Sequence, residues 1–245
     1  MKLIRPLIGI VIFLVIWHVA SKDNHILVPP LLDILAEYLN LIRKGVMLED
    51  IVASVLRIFI GILISTFIAC LMGTFAFFWR PFSDYIYGLV ELIRPIPPIA
   101  WTPIAIIAFG IGDLPAISIV VIGTLFPIWL GIKQGLDNVK ESHTMAAGSL
   151  GASKFLMFSD VIIPSVLPYF LHGLRISVGL GWFCVIAAEM MGASSGLGHG
   201  VQLFSLNIEM PKVYCYLATI GALGLLSNYL AQSAIKSLIG WSYET

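Results

Sequence analysis

Apolar runs close to bilayer length recur along this chain, and nothing else in it limits the fold so sharply. A hydrocarbon core about 30 Å thick is crossed by about 20 mostly apolar residues of helix, because backbone polar groups in lipid must bond within their own segment. Uncharged runs near that length are Pro6 to Ser21, Ile58 to Trp79, Pro95 to Gly112, Leu114 to Ile132 and Val213 to Ile235. A sixth, Ile176 to Met191, carries one acid, Glu189. The expectation is an all-α, polytopic membrane protein of about six transmembrane helices. The third span is the least regular, since prolines and charges crowd Tyr85 to Pro98. Met1 to Ala20, with Lys2 and Arg5 ahead of an apolar core, has the outline of a secretory signal. The repeated return to the membrane favours reading it as the first span.

Composition agrees with this and removes several function classes. Of 245 residues 59% are hydrophobic and only 11% charged, against about 25% charged in an average soluble domain. Fourteen basic residues balance fourteen acidic ones, so there is no basic surplus for nucleic acid and no acidic arm. Cys70, Cys184 and Cys215 lie singly in apolar stretches, without metal-ligand spacing, and read as buried free thiols. His172 and His199 have no His, Cys or acid at ligand spacing, and no metal is expected.

Cytoplasmic loops are enriched in lysine and arginine. With the N-terminus inside, the inner segments hold Lys2, Arg5, Arg80, Lys133, Lys140, Lys154, Arg175 and Lys236; the outer ones hold Lys22, Arg43, Lys44, Arg57 and Lys212. The balance favours both termini in the cytoplasm. Between the first two spans, Leu31, Leu32, Leu35, Leu39 and Ile42 recur at helical spacing. They predict a short outer helix, either lying at the membrane surface or packed over the bundle, with packing favoured.

The longest polar break, Lys133 to Ser165, is then cytoplasmic. It is too polar to span, yet Met145, Leu150, Phe155, Met157 and Phe158 give it apolar knobs, while Gly148 and Gly151 permit close approach of another backbone. Such a segment either docks a partner or folds back on the bundle; pattern alone leaves both open. Its residues add a resemblance. Met145-Ala-Ala-Gly-Ser-Leu-Gly-Ala-Ser153 followed by Val161-Ile-Ile-Pro164 resembles the cytoplasmic "EAA" signature of ABC importer permeases, with Ala146, Ala147, Gly151 and Pro164 in register. Met145 stands where that signature has glutamate. Arg94-Pro-Ile-Pro-Pro-Ile-Ala-Trp101, Phe109-Gly-Ile-Gly112, Ser54-Val-Leu-Arg57 with Gly61, Ala187-Ala-Glu-Met190 with Gly192, and Gly196-Leu-Gly198 resemble the branch that imports nitrate, bicarbonate, taurine and alkylsulfonates.

The resemblance implies a type I ABC importer permease fold, residues 1–245 forming one transmembrane permease domain with a coupling loop at about 134–165. It also implies partners: two copies of a separate ATPase subunit, a second permease copy as a homodimer, and an extracytoplasmic substrate-binding protein, all at the inner membrane. Coupling to the ATPase falls to Met145, Ala146, Ala147, Gly148, Leu150, Gly151, Ala152, Phe155 and Pro164. No G-x-x-x-x-G-K-[ST] is present, so the chain is expected to be non-catalytic and to bind no cofactor, with ATP and Mg on the partner.

Few polar groups fall at membrane depth, where a charge facing lipid costs about 2.5–3.5 kcal/mol or more. Glu91, Arg94 and Glu189 are the candidates for a translocation path, with Pro97, Pro98 and Trp101 at a break in the helix. Glu91 and Arg94, three apart, share a helical face and can pair with each other; Glu189 is read more readily as a joint between helices. Gly192, Gly196 and Gly200 recur every fourth residue, but the intervening Ser194, Ser195 and His199 favour a flexible outer loop. The competing reading is an ion-gradient-driven secondary transporter or channel, a class that often carries internal repeats. An intramembrane enzyme would need convergent acids or a nucleophile, and neither H-E-x-x-H nor G-x-S-x-G occurs.

Overall fold

The computed structural model describes residues 4–24 and 26–238; Lys2, used above for orientation, lies outside them. Eleven α-helices follow in order among these residues: α1 (Ile4–Asp23), α2 (Leu31–Arg43), α3 (Val46–Phe78), α4 (Arg80–Ile93), α5 (Thr102–Phe109), α6 (Asp113–Asp137), α7 (Glu141–Ser149), α8 (Lys154–Met157), α9 (Ile163–Gly192), α10 (Leu197–Leu206) and α11 (Met210–Leu238). A 3-10 turn, Pro98–Trp101, precedes α5, and a π-helical turn, Phe158–Ile162, joins α8 to α9.

Four single helices are long and apolar enough to cross a membrane: α3, α6, the continuous stretch Lys154–Gly192, and α11. The pair α4 and Pro98–Phe109, bent by 87°, meets the same length and apolarity only when its two halves are taken as one broken span. Helix α1, 20 residues long, occupies the first predicted span. The third span therefore extends well before the uncharged run Pro95 to Gly112 and bends within the irregular stretch expected at Tyr85 to Pro98. It starts at Arg80 and breaks where Pro95, Pro97 and Pro98 remove donors and disfavour α conformation before them. Span ends also move outward, α3 beginning at Val46 and not Ile58, because acids in the first turn of a long helix reach the aqueous interface.

Helices α3, α6 and α9 form the centre. Their crossing is set by small residues: a Cβ on Gly173 would lie 2.4 Å from the Pro127 carbonyl oxygen, and one on Gly131 2.5 Å from that of Tyr169. Backbones this close leave no room for a side chain, the usual device where lipid supplies no hydrophobic drive between helices. At the same crossing the buried hydroxyls of Ser65 and Thr124 bond at 2.8 Å, and Ser177 Oγ donates to the Thr124 carbonyl at 3.0 Å. Replacing Gly173 by Ala drives a methyl into backbone, so a loss of about 1–3 kcal/mol is expected. The measurement is a lowered thermal midpoint in detergent, with Gly179→Ala, whose Cβ meets nothing within 4 Å, unaffected.

Helix α2 packs on α11 and α3 through Ile34, Tyr38 and Leu41. The leucines that revealed it, Leu31, Leu32, Leu35 and Leu39, point outward with Ile42. An apolar period finds the helix but cannot tell which face meets protein when the surroundings are lipid. For the same reason Cys70 is exposed rather than buried, whereas Cys184 and Cys215 are buried; all three are free.

Candidate functional site

Helix α6 has 25 residues, about 37 Å at 1.5 Å per residue. Asp113 and Asp137 thus mark opposite membrane faces, and the polar sites fall at three depths between them.

At the Asp137 end, three residues lead into α7, none of whose residues is buried. Leu150 is 89% exposed, Phe155 73% and Met145 59%, so these knobs stand clear of the bundle, whereas Phe158 folds back onto Phe77 and Phe78 with ring centroids 5.1 and 5.4 Å away. The helix ends in a Schellman cap: the amide of Ala152 donates to the Ala147 carbonyl and that of Gly151 to Gly148, both at 3.0 Å. Gly151 has φ +78°, a conformation only glycine adopts without strain. Its requirement is therefore backbone shape, since a Cβ there, as at Gly148, would meet no atom of this chain within 4 Å. Ala147 and Ala152 are the two half-buried positions this cap brings together. Ser153 then caps α8, accepting from the Leu156 amide at 3.2 Å, and Pro164 sits in the first turn of α9. The predicted motif thus runs from α7 through α8 into the first turn of α9 and presents Met145, Ala146, Leu150 and Phe155 outward.

At mid-depth lies the broken span. A Cβ on Gly123, the eleventh residue of α6, would touch Pro98 at 3.4 Å, which places the Pro97–Pro98 break near the bilayer centre. Arg94 Nη1 donates to Glu91 Oε1 at 3.2 Å, with side chains 53% and 44% exposed. The two charges neutralise each other on an open face of the single chain. Trp101, in the 3-10 turn, has a buried indole N–H with no acceptor among the described residues.

At the Asp113 end is a cluster that sequence reasoning divided among loops. Arg57 is 3% exposed and uses all five guanidinium donors: Nε and Nη2 to Asp113 Oδ1 at 2.8 and 2.5 Å, Nη1 to Glu189 Oε1 and the Ser195 carbonyl at 2.6 Å each, and Nη2 to Ser195 Oγ at 2.8 Å. Glu189, 1% exposed, accepts from Ser54 Oγ at 2.8 and 2.9 Å and from the Gly198 amide at 2.8 Å as well. Asp50 accepts from the Gly196 amide at 2.7 Å and Tyr216 Oη at 2.6 Å. Helices α3, α6, α9, α10 and α11 are thereby tied at one end. Glu189 is thus a joint, held by three donors, the Ser54 hydroxyl shared between its two oxygens, and does not stand open in a path.

Two expectations change here. Arg57 is not a loop cation, because α3 starts eleven residues before it. Gly192 to Gly200 is not a flexible loop: Gly196, Gly198 and Gly200 are buried, and a Cβ on Gly196, at φ +108°, would overlap Arg57 and Glu189 at 2.5 Å. The signal was present in Ser54-x-x-Arg57, Glu189 and Gly196-Leu-Gly198, but their mutual contact is tertiary. Among the described residues no group of three His, Cys, Asp or Glu is placed to hold a metal ion.

Known proteins agree with this architecture. Residues 61–239 match the family described as binding-protein-dependent transport system inner membrane component. A probable ABC transporter permease protein of Brucella melitensis is 32% identical over 92% of each chain. The taurine transport system permease protein of Escherichia coli K12 is 29% identical over 96% of this chain and 88% of its own. The bicarbonate transport system permease protein of Synechococcus elongatus is 30% identical over 91% and 85%. In fold, a chain of the MetNI methionine ABC transporter, solved in inward-facing conformations, superposes with a TM-score of 0.68 at 18% identity, covering 80% of this chain and 97% of that one. With its multiple apolar helices, the chain belongs to the binding-protein-dependent inner-membrane components, the permease subunits of ABC importers.

Proposed function

We propose that this chain, paired with a second copy, forms the membrane path of an ATP-driven importer for a small anion. Two ATPase subunits, which carry ATP and Mg, dock on α7 of each copy at the cytoplasmic face, and a substrate-binding protein docks at the Asp113 face. Both termini then lie in the cytoplasm. The observation that carries this reading is α7 with the turn that follows it: a capped helix with no buried residue, Leu150 projecting at its C-cap and Phe155 from α8. The taurine and bicarbonate named for two relatives carry a sulfonate and a carbonate group, which supports an oxyanion as cargo.

Coupling follows from continuity. Helix α6 runs without interruption from Asp113 to Asp137 and meets α7 after three residues, so a shift imposed on α7 by a closing ATPase dimer tilts α6 as a rod. The Asp113–Arg57 contact is the far end of that rod. Its Asp113 side chain is 70% exposed, so it is the arm of the cluster free to part, while Glu189 holds Arg57 to α9.

The Glu91–Arg94 pair, with Pro97, Pro98 and Trp101, lines the path at the break, where irregular backbone is tolerated beside a cavity. Arg94→Ala strips Glu91 of its partner and leaves a negative charge facing an anion. Uptake by proteoliposomes of the intact complex is expected to fall about tenfold, the effect of roughly 1.4 kcal/mol, with ATPase subunits still bound. Unchanged transport would take the pair out of the path.

A further inference from the structure

We propose that His172, Arg175 and Asn228 form an anion-coordinating site at mid-depth, an assignment that rests on the importer reading above and names where the cargo is held. Arg175 lies twelve residues into the 30-residue α9, about 18 Å from its start, beyond the reach of a side chain to either interface. It is half-buried. Together with exposed His172, one turn earlier, and exposed Asn228 of α11 it borders an open groove of about 510 Å³ whose other walls are Ile176, Gly179, Trp182 and Gly224. Trp182 is fixed there by its indole N–H, which donates to Ser227 Oγ at 2.8 Å.

The charge census makes the site informative. No Asp or Glu occurs in residues 51–78 of α3, 114–136 of α6, 163–188 of α9 or 210–238 of α11. Of the other cations in these helices, Arg57 holds Asp113 and Glu189, Arg94 holds Glu91, Lys133 holds Asp137 and Lys212 holds Glu209, while Lys154 and Lys236 lie at helix ends. Arg175 has no ion-pair or hydrogen-bond partner among the described residues. An uncompensated guanidinium at the centre of a bilayer is costly against lipid; where the groove faces a permeation path it is a positive field for an anion. Its planar fork suits two oxygens of a sulfonate, carboxylate or carbonate. His172 and Asn228 supply further donors, and the groove volume admits a molecule of a few heavy atoms. The same bookkeeping moves the anion contact from Arg94, already neutralised, to Arg175.

The test uses the full chain in nanodiscs, without ATPase, in a Cys70→Ser background. Gly179→Cys and, as a second reporter, Gly224→Cys sit on the groove where a Cβ meets nothing within 4 Å. Each is labelled with a sulfonate-bearing and a trimethylammonium-bearing thiosulfonate of similar size. With Arg175 present the sulfonate reagent is expected to react faster, and Arg175→Gln to shift the rate ratio toward the cation on the order of tenfold. Millimolar methanesulfonate or bicarbonate, but not choline, slows labelling only while Arg175 is present. A rate ratio indifferent to Arg175→Gln at both reporters would overturn the site, and would mean that a partner-copy carboxylate or lipid phosphate already neutralises the arginine. Because the labelling needs no ATPase, its failure is separable from failure of ATP-driven uptake, which would overturn the importer reading itself.

Discussion

Glu189→Ala is expected to cost about 3–5 kcal/mol, the range for removing one partner of a buried ion pair, out of a total stability of about 5–15 kcal/mol. Three donors lose their acceptor together: Arg57 Nη1, Ser54 Oγ and the Gly198 amide. Arg57 stays buried, held only by Asp113 and Ser195. Glu189→Gln does little better. Its amide NH2 replaces one acceptor oxygen with donors, and both carboxylate oxygens already face donors, so one N–H must point at another. The yield of folded protein in detergent and its thermal midpoint measure the effect, with both variants well below wild type. Arg57→Leu is expected to be of similar severity, because it leaves Glu189, Asp113 and Asp50 close together with no cation among them. A Glu189→Ala protein as stable as wild type would mean that the cluster does not hold the five helices together.

The second large effect belongs to binding. Leu150 and Phe155 add nothing to the fold of the single chain, being 89% and 73% exposed, and burial of each in a partner groove would contribute about 1.5–3 kcal/mol. Leu150→Asp with Phe155→Asp removes both gains and carries two charges into an apolar groove. The affinity for the ATPase subunit should fall roughly a hundred- to thousandfold, about 3–4 kcal/mol, with the thermal midpoint of the permease unchanged. Surface-immobilised permease titrated with its ATPase reads this directly. Unchanged affinity would place the docking surface elsewhere.

The two sites were legible to different degrees, for physical reasons. Helix α7 was readable because its features are local: an apolar knob pattern, a glycine at a Schellman position and a proline opening the next helix all lie within twenty residues. Even so, Gly151 looked like a packing residue until its φ showed a backbone requirement. The Arg57 cluster joins residues from 50 to 216, and no local period connects them. Counting arginines by loop misassigned Arg57, since a buried ion pair lets a helix carry charge below the interface. Arg175 was counted among the inner-segment cations for the complementary reason: it falls just before an apolar run, while α9 in fact starts at Ile163. The bend in the third span was foreshadowed by Pro95, Pro97 and Pro98, although no local pattern gives its angle of 87° or the approach of Pro98 to Gly123 of α6.

The measurement that bears most directly on the account is uptake of radiolabelled taurine and bicarbonate into proteoliposomes holding the permease, with and without the ATPase subunit and its binding protein. Accumulation is expected only with the ATPase, the binding protein and ATP together, and is expected to be lost in the Leu150→Asp, Phe155→Asp protein. Accumulation by the permease alone under an ion gradient, equal in wild type and that variant, would contradict ATP-driven import.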